Sequence, residues 1–170
     1  MPIVTGDIEY RLSGGAANSD PAASLGGAKS SVEVTNGTLF DDVSGAESSA
    51  GDVEYRGIYI QNNYAGSPSL SLQNARVWVQ VNTPSADTTI EIALAAEGPN
   101  ATIETLGNEG TAPAGSPMTF TAPANYAAGL VLGDLAPGQY YGLWIRRTVN
   151  PGASAANDNY TIRVEGDTAP

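Results

Sequence analysis

Asp134 to Val149 reads Asp-Leu-Ala-Pro-Gly-Gln-Tyr-Tyr-Gly-Leu-Trp-Ile-Arg-Arg-Thr-Val. Pro137 presets its own φ and Gly138 can take the positive φ that a type II turn requires, so the segment opens with a turn. From Gln139 it continues as a strand. Successive side chains of a pleated strand point to opposite faces, which puts Tyr141, Leu143, Ile145 and Val149 on one side and Tyr140, Trp144, Arg146 and Thr148 on the other. The first face is core. The second sets a large aromatic beside a guanidinium, a pattern found on surfaces that meet a partner and also on ordinary sheet exteriors.

Outward from this strand the same alternation recurs. Ile8, Tyr10 and Leu12 alternate with Glu9 and Arg11. Thr88, Ile90, Ile92 and Leu94 alternate with Thr89, Glu91, Ala93 and Ala95, and Tyr160, Ile162 and Val164 with Thr161, Arg163 and Glu165. Glu54 to Gln61 has Ile58 and Ile60 on one face and Tyr55 and Tyr59 on the other, which predicts a central strand covered on both sides. Leu70 and Leu72 occupy even positions whereas Val77, Val79 and Val81 occupy odd ones. A period of two cannot change parity inside a regular strand, so a β-bulge or bend is expected near Gln73, Asn74 and Ala75. Asn36-Gly37 marks a two-residue hairpin turn. Asp41 to Asp52 reads as an acidic loop, and Glu97 to Ala124 as a long Gly/Pro/Thr/Ala excursion with two short edge strands.

No segment keeps a helical period. About eight to ten short strands separated by turn signals predict an all-β fold, a two-sheet antiparallel β-sandwich of jelly-roll or immunoglobulin-like topology. Residues 1–31 supply a first strand and a Gly/Ala/Ser-rich arm, and residues 32–170 the sandwich domain. The arm, Ser13 to Ser31, has one large apolar residue, Leu25, and too little apolar surface to order by itself. It is either a surface loop or an extension that orders on a neighbouring subunit through Leu25.

Composition narrows the function. The 170 residues contain no cysteine and no histidine, which removes disulfides, thiol catalysis, the usual zinc ligands and the commonest general base. An enzyme is not expected, nor a cofactor. Acidic loop residues Asp41, Asp42 and Asp52 and the run Asn157-Asp158-Asn159 offer hard oxygens, but their spacing matches no EF-hand loop, and no metal site is assigned. The net charge is −11, with 7 basic residues scattered singly apart from Arg146-Arg147, so nucleic acid is not an expected partner. No run approaches the ~20 apolar residues of a membrane span, and the Met-Pro start shows no signal-peptide pattern, so use without crossing a membrane is expected.

Three strands place an acid and an arginine two apart: Glu9 with Arg11, Glu54 with Arg56, and Arg163 with Glu165. On an exterior face these serve solubility and register. Arg76 with Trp78 and Trp144 with Arg146 are the pairs assigned to function. If their strands are neighbours they form one aromatic and basic patch suited to a subunit contact or to stacking on a sugar; the alternative is that each Trp lies under a loop on a covered face. Leu25, Arg76, Trp78, Tyr140, Trp144 and Arg146 are therefore the candidate interaction residues.

Several phrases resemble a family of small structural proteins of tailed-bacteriophage virions. They are Tyr10 to Gly15, Asn18 to Pro21, Ser24 to Gly27, Leu39 to Val43, Glu54 to Arg56, Asn108 to Pro113, Trp144 to Val149 and Arg163 to Thr168. The resemblance implies a β-sandwich virion component, first of all a capsid decoration or cement protein on the outer shell. Its expected partners are the major capsid protein or other virion proteins and further copies of itself, with assembly in the host cytoplasm. A tail or baseplate component is the next reading. A carbohydrate-binding or adhesin module using Trp78, Trp144 and nearby tyrosines is the alternative from a different class.

Overall fold

The computed structural model describes residues 2–115, 118–152 and 159–168. Its strands are β1 (Ile8–Leu12), β2 (Gly26–Gly27), β3 (Asp52–Asn62), β4 (Leu72–Val81), β5 (Thr88–Pro99), β6 (Ile103–Thr105), β7 (Leu130–Leu135), β8 (Tyr140–Val149) and β9 (Thr161–Thr168). They form an antiparallel four-stranded sheet ordered β1-β3-β8-β5, a three-stranded sheet ordered β7-β4-β9, and a small β2-β6 pair. The two larger sheets pack face to face, as the alternation predicts. Leu12, Ile58, Ile60, Ile90, Ile92, Leu143 and Ile145 from one sheet meet Leu72, Val77, Val79, Leu132 and Leu135 from the other. From β3 onward every connection between the two large sheets crosses from one to the other. An immunoglobulin order keeps some consecutive strands in one sheet as hairpins, and from β3 onward the two large sheets contain no such pair.

The expected parity break is present. Pairing of β4 with both neighbours slips between Leu72 and Arg76, and Asn74 takes φ 53, a conformation that asparagine tolerates better than most residues. The extra residue turns Leu72, Ala75 and Val77 all toward the core. Three segments differ from expectation. Asn36-Gly37 forms a turn but no paired strands flank it, and Glu33 instead makes an isolated bridge to Arg11. Within the acidic loop, Gly45–Ala50 forms a short helix, α1, whose N-cap Ser44 and N3 residue Glu47 make a reciprocal capping box. The excursion after β5 contains one short strand, β6, and a single bridge from Thr121 to Ile92 in place of the second.

The four-stranded sheet is covered on both faces. Its second face carries a separate apolar cluster, Tyr55, Tyr59, Ala95, Ile103, Leu106 and Trp144, with Leu25, Met118, Phe120 and Tyr140 packed around it. The cover is the Ser13–Ser31 arm together with β6 and the excursion. Where β1 ends at Leu12, the arm leaves its plane. The buried Ser13 hydroxyl donates to the Gly57 carbonyl at 2.6 Å and accepts from the Gly26 N–H at 2.9 Å. The Gly57 N–H bonds Ser24 O at 2.8 Å and the Leu106 N–H bonds Leu25 O at 2.7 Å, so the arm and the excursion complete each other's backbone pairing.

Glycine makes this close approach possible. Gly57 lies directly opposite Trp144 across the β3–β8 ladder, and a Cβ there would sit 2.8 Å from Ile103 and 3.0 Å from the Trp144 ring. Gly26, at φ +90, passes over the same ring, and a Cβ on it would overlap the Glu104 carbonyl. In urea unfolding, Gly26→Ala is expected to lose on the order of 2–3 kcal/mol through overpacking and Trp144→Ala about 3–5 kcal/mol. Gly15→Ala, at a similarly positive φ with open space around it, should lose less than Gly26→Ala.

Candidate functional site

The six candidate interaction residues do not come together. β4 and β8 lie in different sheets, so Arg76 and Trp78 occupy the outer face of the three-stranded sheet while Tyr140, Trp144 and Arg146 occupy the far face of the four-stranded one. The single patch expected of neighbouring strands is therefore corrected to two sites on opposite sides of the sandwich. Trp144 is 0% exposed, sealed by Gly26, Gly57 and the excursion. Leu25 packs into that same cluster within its own chain. Arg146 pairs with its cross-strand neighbour Glu91, with Nε 3.0 Å from the carboxylate, and lies 4.8 Å over the Phe120 ring. The Tyr140 hydroxyl donates to Asn100 O at 3.1 Å, and Lys29 sits 5.3 Å over its ring. Trp78 is 5% exposed, with Tyr126 edge-on at 5.9 Å and Arg163 at 5.7 Å. Neither indole presents an open face on which a sugar could stack.

The ionisable residues that do converge are others. Glu54 and Arg56 share the face of Ile58 and Ile60 on β3, and Arg147 shares the face of Leu143 and Ile145 on β8, so all three point between the sheets. Glu54 and Arg56 are each 1% exposed. Their expected place on the outward face is thus corrected: in a strand with apolar residues on both sides, a charge at this parity is an interior charge. Arg147 pairs with Glu54 and reaches Asp41 at 3.2 Å, donating also to the Asp41 carbonyl at 2.6 Å. Arg56 pairs with Glu109, lies 4.0 Å from Glu54 and donates to Leu39 O at 3.2 Å. Both guanidiniums flank the Phe40 ring, at 5.3 and 4.9 Å, and Tyr160 meets that ring edge-on at 6.3 Å. Burial pushes the Glu54 carboxyl up, and the Arg147 and Arg56 guanidiniums pull against that shift.

A cleft of about 980 Å³ opens beside this cluster, with Tyr10, Val34, Phe40, Asp41, Arg147 and Tyr160 among its walls. Its guanidinium is already matched by carboxylates. Burial raises the Tyr160 and Tyr10 hydroxyls to about 12, against the opposing pull of Arg147 on one and of a backbone bond at Val164 on the other. They stay protonated at neutral pH. Among the described residues no three acidic side chains gather to hold a metal ion. Of the oxygens weighed for calcium, those of Asn157 and Asp158 lie outside the described residues, and Asp41 is engaged by Arg147.

With this geometry in view, comparison with protein-family models, with curated proteins and with solved structures returns no match.

Removing one partner of a buried charge network strands the others. Glu54→Ala is therefore expected to cost about 3–5 kcal/mol, whereas Asp42→Ala, exposed and outside the network, should stay within about 0.5 kcal/mol; chemical denaturation measures both. A second expectation concerns alkali. Tyr10 and Tyr160 have folded values near 12 against an ordinary 10, so the stability they contribute is whole below pH 10 and is lost as pH rises to 12. Ultraviolet titration should show these two phenolates forming late, together with unfolding.

Proposed function

We propose that this chain is a non-enzymatic structural protein of tailed-bacteriophage virions, a capsid decoration protein that binds the outer shell through the major capsid protein and stabilises it. One observation carries the reading. Most of the phrases that resemble the virion family meet one another in space: Leu39 to Val43 supplies the carbonyl held by Arg56 and the carboxylate held by Arg147, and Glu54 to Arg56 and Asn108 to Pro113 supply Glu54, Arg56 and Glu109. Tyr10 to Gly15 and Ser24 to Gly27 supply Ser13 and Gly26, which close over Trp144 of the Trp144 to Val149 phrase. Phrases scattered over the chain thus form one connected scaffold, which is how a likeness of architecture would be distributed.

Charge supports the same reading. A chain of net charge −11 is repelled by packaged nucleic acid and suited to a shell's exterior. A lattice would multiply weak identical contacts into firm attachment. The test is to add purified protein to shells of the particle that carries it and to image intact particles with antibody against the chain. Label over the head and a raised temperature of shell disruption are expected. Label confined to the tail would replace decoration with the tail or baseplate role, and particles devoid of the chain would refute a virion role altogether.

A further inference from the structure

Asn36 differs from the other asparagines in what its side chain touches. Eight of the others have the side-chain amide in a hydrogen bond, as where Asn62 donates to Leu135 O at 2.8 Å and Asn82 to Ile90 O at 2.9 Å. Attack on such an amide first has to break that bond. Asn150 is followed by Pro151, whose nitrogen carries no hydrogen, and Asn159 by Tyr160, whose side chain crowds the nitrogen beside it. Asn36 is exposed, has no hydrogen bond from its amide among the described residues, and is followed by Gly37.

The turn leaves the reacting atoms free. Gly37 takes φ +76 with open space where a Cβ would stand, and its N–H has no acceptor among the described residues. Both bonds that close the turn run from Thr38 instead, its N–H to Thr35 O at 3.3 Å and its hydroxyl to the same carbonyl at 2.8 Å. With no paired strands on either side, little opposes rotation about the bond between Asn36 Cα and its carbonyl.

We infer that Asn36 is a self-modification site that converts to aspartate and isoaspartate. The Gly37 nitrogen gives its proton to solvent and attacks Asn36 Cγ. A C–N bond closes a five-membered succinimide, and the side-chain nitrogen leaves as ammonia. One water then opens the ring. Breaking the bond from nitrogen to Cγ leaves aspartate; breaking the bond to the main-chain carbonyl leaves isoaspartate, whose chain runs on through Cβ and Cγ. The sum is one water consumed and one ammonia released. Asn36 lines the cleft beside Asp41 and Asp42, so either product adds a carboxylate to a wall that already bears two. Isoaspartate also lengthens the backbone just ahead of Leu39 and Asp41, which Arg56 and Arg147 hold in place. The inference does not rest on the virion reading.

Incubating the purified full chain in mildly alkaline buffer at body temperature, with peptide mapping by mass, decides it. A gain of about 1 Da at Asn36 is expected, appearing at least ~10-fold faster than at any hydrogen-bonded asparagine because the attacking nitrogen belongs to a residue without a Cβ. Two product peptides of equal mass should separate by chromatography. Gly37→Ala puts a Cβ beside that nitrogen and should slow the change at least ~10-fold. Asn36→Gln, which would have to close a larger ring, should remove the early acidic species from ion exchange. An Asn36 that keeps its amide throughout, or loses it no faster than the hydrogen-bonded asparagines, overturns the inference, as does a loss that Gly37→Ala leaves unchanged.

Discussion

Burial of the Trp144 ring between two glycines is the contact on which the remaining architecture depends. Strand β8 can carry an indole on the face opposite its core residues only if something covers it, since a ring of that size left in water forfeits several kcal/mol of burial. The cover is the chain's own arm, and it comes close enough because Gly57 beneath and Gly26 above lack a Cβ. The indole N–H has no acceptor among the described residues, so shape and apolar contact, not a hydrogen bond, hold the ring. A two-sheet sandwich thereby gains a third layer, and a segment poor in apolar residues becomes ordered through backbone bonds from Ser13, Ser24 and Leu25.

The charges follow the same logic of closure. Two of the six arginines, Arg56 and Arg147, point between the sheets beside buried Glu54, with Glu109 and Asp41 reaching them from the exposed edge. Interior ion pairs of this kind add little net stability over apolar residues of the same volume, but each enforces its partner. Arg56 draws Leu39 and Glu109 to the edge of β3, and Arg147 draws in Asp41. Loops with weak patterns of their own are located by these guanidiniums, and Phe40 is fixed between two of them.

Much of the fold was legible in the residues because a strand's period of two is a local property. Alternation in Asp134 to Val149 and in Ile8 to Leu12, the covered strand at Glu54 to Gln61 and the bulge at Asn74 all follow from which neighbours share a face, and each recurs in the structure. The interior place of Glu54 and Arg56 was legible by the same rule, since both share parity with Ile58. Composition misdirected that reading, because acid–arginine pairs more often lie in water.

Sequence alone therefore determined the all-β class, the face to which each strand residue turns and the absence of thiol and imidazole, since these are set within a few residues of chain or by composition. Only the tertiary structure decided which strands are neighbours, and with that whether Trp78 and Trp144 stand together or on opposite sides. It also decided that the Gly-rich arm lies over its own sheet and that, among the described residues, Arg76 is the arginine without a carboxylate partner. Such facts depend on contacts between residues 30 to more than 100 positions apart, such as Ser13 with Gly57 and Asp41 with Arg147, and no local period encodes them.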